Sequence, residues 1–223
     1  MTEAAAYTFR DPRPLGGAVV AWMYVYLVAT VANLAMVGIE AQALIGGASG
    51  GVDGGTGVAS LDGLVMVTRL ASVAMYATSG FLFLKWTYRV VANARLLNPA
   101  MKAKPGWAIG WYFVPIAFLW KPFGYFKEAW GVSHNPASPA MVYTPAILRW
   151  WWALWLISIM ASNISGRLSF MGTDQGLLIA SDVFEMISDG VGVPLILIVV
   201  RMVKTLSDKQ FETRSAGSAD VFA

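Results

Sequence analysis

Hydrophobic residues in this chain occur in long unbroken runs, and the polar residues gather between them. Four runs are long enough to cross a bilayer as helices, which takes about 20 apolar residues. They extend from about Ala18 to Ile45, Leu61 to Leu84, Ala146 to Met171 and Leu177 to Leu206. A helix satisfies its own backbone where water is absent, so all-α is the fold class these runs predict. A fifth apolar stretch, Trp107 to Trp120, is shorter and is cut at Pro115 and Pro122. It reads as a re-entrant or interfacial element over about residues 105–130, not a span.

Basic residues orient the helices, because cytoplasmic loops hold the excess of Lys and Arg. With four spans and both termini inside, Arg10, Arg13, Lys85, Arg89, Arg95, Lys102, Lys104, Lys121, Lys127, Arg149, Arg201, Lys204, Lys209 and Arg214 are cytoplasmic. Only Arg69 and Arg167 then lie elsewhere. Letting Trp107 to Trp120 cross would move Lys121 to Arg149 outside and weaken this asymmetry. The expected protein is therefore an integral membrane four-helix bundle, N-in and C-in, with a Pro/Trp-rich segment on the cytoplasmic side. Residues 1–17 form a cytoplasmic tail, residues 18–206 a single membrane domain, and residues 207–223 a disordered cytoplasmic tail.

Composition agrees: 57% of the 223 residues are hydrophobic and 13% are charged. The net charge of +3 suits anionic lipid headgroups better than nucleic acid, so membrane lipids are expected partners and nucleic acid is not. There is no cysteine, so disulfides and thiolate chemistry are excluded. The N-terminus is neutral to acidic and the first apolar run is too long for a cleaved signal, so that run is expected to be an uncleaved anchor. The Gly-rich stretch Gly46 to Gly57, with Asp53, lacks the Gly-Lys-Ser/Thr ending of a phosphate-binding loop and reads as a flexible outer linker.

The polar residues inside the runs are the candidate chemistry. Asp182, Glu185 and Asp189 fall at i, i+3 and i+7 of the last run, a single stripe of three carboxylates. Charge at membrane depth is costly and ordinarily faces a partner or a watery cavity. From a start near Leu177, Asp182 lies roughly 8 Å and Asp189 roughly 18 Å deep at 1.5 Å per residue. Arg69 enters the second run at the depth of Asp182 and Glu185, so an ion pair with one of them is the first expectation, with Arg167 near the surface. Asp189 has no Lys or Arg at its depth, which leaves it carrying its proton or bonded to Asn33 or Ser79. A proton or cation path through Glu40, Asp182, Glu185 and Asp189, or capture of a partner's cation, are the functional alternatives.

In the third run, Ser158, Ser162 and Gly166 recur at i, i+4 and i+8, with Ala161, Ser165 and Ser169 beside them. Small residues so spaced let helices approach closely. Asn163-Ile164-Ser165 matches a glycosylation sequon but lies inside the run. His134 is the single histidine, in a loop, so a paired-His haem is excluded and no metal site or catalytic set is expected.

The segment Pro105-Gly106-Trp107-Ala108-Ile109-Gly110-Trp111-Tyr112-Phe113-Val114-Pro115-Ile116-Ala117-Phe118-Leu119-Trp120-Lys121-Pro122 is dense in Trp, Gly and Pro. Together with Phe9-Arg10-Asp11-Pro12-Arg13, Trp86-Thr87-Tyr88-Arg89, Asn93-Ala94-Arg95 and Arg149-Trp150-Trp151-Trp152-Ala153-Leu154-Trp155, it resembles the bacterial membrane family catalogued as domain of unknown function 4328, over roughly Phe9 to Gln210. That resemblance implies residence in the bacterial inner membrane and four to five apolar segments, and brings no reaction with it. Physically the segment makes a wedge, since Pro115 and Pro122 remove helix donors and Trp107, Trp111, Trp120 and Trp130 prefer the interface. It is expected to pack under the bundle, or to form a gate, a docking surface, or a groove for a bound lipid or quinone; no other cofactor is expected.

These features predict a non-enzymatic accessory or scaffold subunit that associates with itself, as a homo-oligomer, or with a larger membrane complex. The second expectation is a small proton or cation pathway along the carboxylate stripe, and an intramembrane enzyme acting on lipid is a distant third.

Overall fold

The two kinds of sequence pattern, long apolar runs and a proline-broken aromatic stretch, become two kinds of element. The computed structural model describes residues 8–49, 57–171 and 174–219, where every regular element is helical. Four long helices, α1 (Arg13–Ser49), α2 (Gly57–Leu97), α5 (Ala146–Met171) and α6 (Gln175–Ala219), are separated between α2 and α5 by the short α3 (Pro105–Gly110) and α4 (Lys121–His134). The four long ones are each long and apolar enough to cross a membrane, which makes this a multi-pass membrane protein. The stretch expected as a flexible linker is helical at both ends, where residues 46–49 continue α1 and Gly57 opens α2, while residues 50–56, with Asp53, and 172–173 lie outside the described residues.

Local chemistry sets the helix starts. Pro14 stands in the first turn of α1 and Pro105 opens α3, where a missing N–H costs nothing. Asp174 caps α6, its Oδ1 accepting from the backbone N–H of Gly176 at 2.9 Å and of Leu177 at 3.3 Å. Between α3 and α4 the chain makes only single turns of 3-10 helix, at Trp111–Phe113 and Ala117–Leu119. Ile116 joins them at φ 66° and ψ −51°, with the Ala117 N–H bonded to the Pro115 carbonyl at 2.7 Å. This is a γ-turn at a β-branched residue, a strained geometry that ends any continuous helix here. The Pro/Trp segment therefore contains no membrane-length helix.

The chain divides into two compact units, and each long helix contributes to both. One unit comprises residues 1–22, 79–152 and 198–223. Its core is aromatic: Phe83, Trp86, Phe126 and Trp151 have ring centroids 4.8–6.2 Å apart. Trp86, Phe126 and Leu148 are fully buried, with Met202, Val203 and Leu206 of α6. Trp86 Nε1 donates to Ser207 Oγ at 2.9 Å. At Gly16 a Cβ would stand 2.8 Å from that same Oγ, so glycine permits the approach of α1 to α6.

The same unit corrects the expectation of a disordered tail after Leu206. The α6 helix continues to Ala219, and Ser207 and Gln210 are buried. Gln210 Nε2 donates to the Val90 carbonyl at 2.8 Å and Ser133 Oγ at 3.0 Å, and its Oε1 accepts from Asn93 Nδ2 at 3.2 Å. Thr213 Oγ1 donates to the Ser133 carbonyl at 2.8 Å. Composition alone misses this, because polar Ser and Gln residues pack when their partners are polar too.

The other unit, residues 23–78 and 153–197, is built the opposite way. Its apolar side chains largely face outward: Leu64, Met66, Val67, Leu70 and Val73 of α2 are 58–64% exposed. Thr30, Asn33, Ser165, Ser181 and Asp182 are buried. Such an outside suits lipid as the surrounding solvent.

Replacing Gln210 by Leu leaves the Val90 carbonyl, the Asn93 amide and the Ser133 hydroxyl short of partners in a dry core. We expect a loss of about 1–3 kcal/mol, read as a lower thermal midpoint of the full chain in mild detergent. An unchanged midpoint would mean that the end of α6 does not pack as described.

Candidate functional site: an arginine among four carboxyl groups

The helical repeat puts Asn33 and Glu40 of α1 on one stripe, seven residues apart, and Asp182, Glu185 and Asp189 of α6 on another. Arg69 reaches them from α2. Its Nη2 lies 2.9 Å from Asp182 Oδ1, 3.0 Å from Glu185 Oε2 and 3.0 Å from Glu40 Oε2. Its Nε donates to both oxygens of Glu185 at 3.2 and 3.1 Å. One guanidinium thus holds carboxylates from two helices, and the Asp182 side chain is only 6% exposed. Arginine suits this position because its charge persists and its planar fork offers several donors at fixed angles.

Asp189 is held differently. Asn33 Nδ2 donates to Asp189 Oδ2 at 2.8 Å and to Glu185 Oε1 at 2.9 Å. Asn33 therefore bridges two carboxyl groups one helical turn apart, and links Asp189 to the arginine-bound set. Among the described residues no Lys or Arg pairs with Asp189. Ser79, the other partner considered for it, instead donates to the Trp22 carbonyl at 3.3 Å. Arg167 makes no ion pair among the described residues. Asp182 Oδ2 and Asn33 Oδ1 are buried acceptors without a hydrogen-bond partner.

The α5 seam has a shifted register. Ser158 and Ser188 exchange bonds, Ser158 Oγ to the Ser188 carbonyl at 3.3 Å and Ser188 Oγ to the Ser158 carbonyl at 3.1 Å. Ser181 Oγ donates to the Ser165 carbonyl at 3.1 Å, and lies 2.6 Å from Ser169 Oγ. The contact stripe is thus Ser158, Ala161, Ser165 and Ser169. Ser162 is exposed, and a Cβ on Gly166 would meet nothing within 4 Å. The sequence offered two interleaved small-residue stripes, and only hydroxyl partners on α6 distinguish them.

The Pro/Trp residues belong to the aromatic unit, and Arg69 and its carboxyl partners to the other. Trp107 and Trp111 pair at 4.5 Å between centroids, and Lys121 Nζ sits 5.3 Å over the Trp111 ring. Pro122 is buried, Pro115 forms the γ-turn, and Trp120 is 52% exposed. Trp152 Nε1 ties the segment to α5 through the Leu119 carbonyl at 3.0 Å. Among the described residues no group of three His, Cys, Asp or Glu has the arrangement of a metal site.

Residues 55–208, well over half of the chain, match the family model described as domain of unknown function (DUF4328). No curated protein and no solved structure matches the chain.

Removing the shared cation strands the carboxylates around it. Arg69→Gln is expected to destabilise the protein by about 3 kcal/mol, the low end for breaking a buried pair because the guanidinium is 36% exposed. Adding Glu185→Gln should recover part of that loss, as a double-mutant cycle of thermal midpoints in detergent would show. Strict additivity would mean that Arg69 and Glu185 are not coupled.

Proposed function

The chain belongs to the DUF4328 family, and from its geometry we propose that it is a non-enzymatic accessory or scaffold subunit of the bacterial inner membrane. The observation that carries this reading is the engagement of Arg69 with Glu40, Asp182 and Glu185. An acidic stripe bound to the chain's own arginine fastens α1, α2 and α6 together, as a scaffold requires, and leaves the apolar flanks available to lipid, a second copy or a larger complex. The distribution of Lys and Arg supports N-in, C-in orientation, with the Pro/Trp segment at or partly within the cytoplasmic face. The γ-turn at Ile116 and the exposed Trp107 and Trp120 support an interfacial or re-entrant position.

A second reading, a proton or cation pathway, is favoured by the surplus of carboxyl groups over cations. Arg69 faces the three carboxyl groups of Glu40, Asp182 and Glu185, and Asp189 is joined to them through Asn33. The buried acceptors Asp182 Oδ2 and Asn33 Oδ1 would be satisfied by a proton or a cation.

Extraction from native membranes in mild detergent, followed by native mass, is expected to give this chain in a fixed ratio with itself or with other subunits. A monomer free of partners would sink the scaffold reading. The pathway reading is tested with Asp189→Asn in proteoliposomes. The substituted amide keeps an oxygen for Asn33 Nδ2, so folding should persist while a pathway loses most of its proton or cation flux. Equal flux with and without the substitution would remove the second reading.

A further inference from the structure

A separate cavity of about 320 Å³ opens in the aromatic unit, lined by Thr8, Arg10, Lys85, Tyr88, Arg89, Ala92 and Asn93. Lys85, Arg89 and Asn93 share one face of α2 at i, i+4 and i+8. The opposite wall is the arm that leads into α1, and it is fixed in place. Asn93 Nδ2 donates to the Arg10 carbonyl at 2.8 Å while the Arg10 N–H donates to Asn93 Oδ1 at 3.2 Å. Arg89 Nη1 adds a long bond of 3.4 Å to the Asp11 carbonyl.

Three cations thus converge on one cavity. Lys85, Arg10 and Arg89 make no ion pair among the described residues. The adjacent acid, Asp11, is occupied: Arg13 forks its carboxylate at 2.8–3.1 Å, and this hydrogen bonding holds the carboxyl below its usual range. Arg13 is itself stacked over Phe211, its guanidinium carbon 3.3 Å from the ring centroid. Among the described residues no carboxylate lines the cavity. Like charges gathered at this density repel one another unless an anion joins them. The guanidinium and ammonium donors, with the Thr8 and Tyr88 hydroxyls, match the oxygens of a phosphate ester.

We propose that this cavity binds the phosphate of an anionic ester, most directly the headgroup of an anionic phospholipid. The α2 helix supports the lipid source, since it carries Lys85 and Arg89 at the end of its apolar run, where basic side chains meet headgroups. A zwitterionic choline headgroup presents a cation of its own to the three cations and is disfavoured.

The test measures binding of short-chain phosphatidylglycerol, short-chain phosphatidylcholine and glycerol phosphate to the full chain in neutral detergent. Each is repeated with Lys85→Gln, Lys85→Arg and the exposed control Lys127→Gln. Phosphatidylglycerol should bind best, about tenfold more weakly to Lys85→Gln, the scale of one charge-assisted hydrogen bond, and nearly normally to Lys85→Arg and Lys127→Gln. Glycerol phosphate binding as tightly as phosphatidylglycerol, with the same dependence on Lys85, would support the anion site and assign a soluble phosphate ester as its source. Equal binding of the two lipids, or equal weakening by Lys127→Gln and Lys85→Gln, would overturn the proposal. Matching thermal midpoints for Lys85→Arg and Lys85→Gln would separate lost recognition from lost folding.

Discussion

A guanidinium set among carboxyl groups inside apolar helices is the constraint around which one unit of this protein is organised. Lipid tails are as apolar as leucine, so helices in a bilayer gain little from burying Leu or Val against each other. Cohesion has to come from close packing and polar contact. Arg69 supplies the strongest polar contact, binding Glu40 of α1 and both Asp182 and Glu185 of α6. The fourth helix of the unit, α5, is joined instead by neutral hydroxyls at Ser158, Ser165 and Ser169. Leu64, Val67 and Val73 are accordingly exposed while Asn33 and Asp182 are buried, an inversion that water would penalise and lipid does not.

The other unit obeys different physics with the same helices. Its interior is a cluster of large rings around Trp86 and Phe126, closed at one end by the amide and hydroxyl network of Asn93, Ser133 and Gln210. Asn93 also ties down the arm at Arg10. A single residue of α2 therefore takes part both in the end of α6 and in one wall of the cationic cavity. The Pro/Trp segment covers this unit by short turns, and its one strained backbone position, Ile116, falls where the two successive 3-10 turns must meet. Proline at position 115 removes the alternative of continuing a helix, which is why the strain persists there.

How much of this was legible in the sequence depended on whether a feature was one-dimensional. Runs of apolar residues are, and the four long helices follow them, with ends displaced where polar residues found polar partners. Leu206 looked like the end of α6 because Ser207, Lys209 and Gln210 follow it; the partners of Gln210 lie on α2 and α4, which no local pattern reveals. The carboxylate stripe was legible because i, i+3 and i+7 is a helical face whatever surrounds it. Depth alone put Asn33 beside Asp189 as one of two candidate partners and Glu40 near the stripe, but choosing Asn33 over Ser79 and joining Glu40 to Arg69 needed the rotation of α1 to be known. The serine seam shows the limit plainly. Ser158, Ser162 and Gly166 form as good a stripe as Ser158, Ala161 and Ser165, and Ser181 and Ser188 on the neighbouring helix decide between them.

A fastening role explains why Arg69 and one carboxylate from each neighbouring helix are present. It does not by itself explain the rest of the stripe. Asp182 and Glu185 both come from α6, so the second adds charge to a helix already held, and Asp189 adds more without a cation of its own. Among the described residues, the side-chain donors that reach Asp182, Glu185 and Asp189 are the Nε and Nη2 of Arg69 and the amide of Asn33, fewer N–H bonds than the carboxyl oxygens could accept. In a low-dielectric surrounding an unmatched acceptor is costly, so a bundle that needed only to be fastened would be more stable with an apolar residue at 189. The carboxyl group at 189, aligned by Asn33 with Glu185, is therefore what the proposed proton or cation pathway rests on, whereas a clasp needs only Arg69 and its partners.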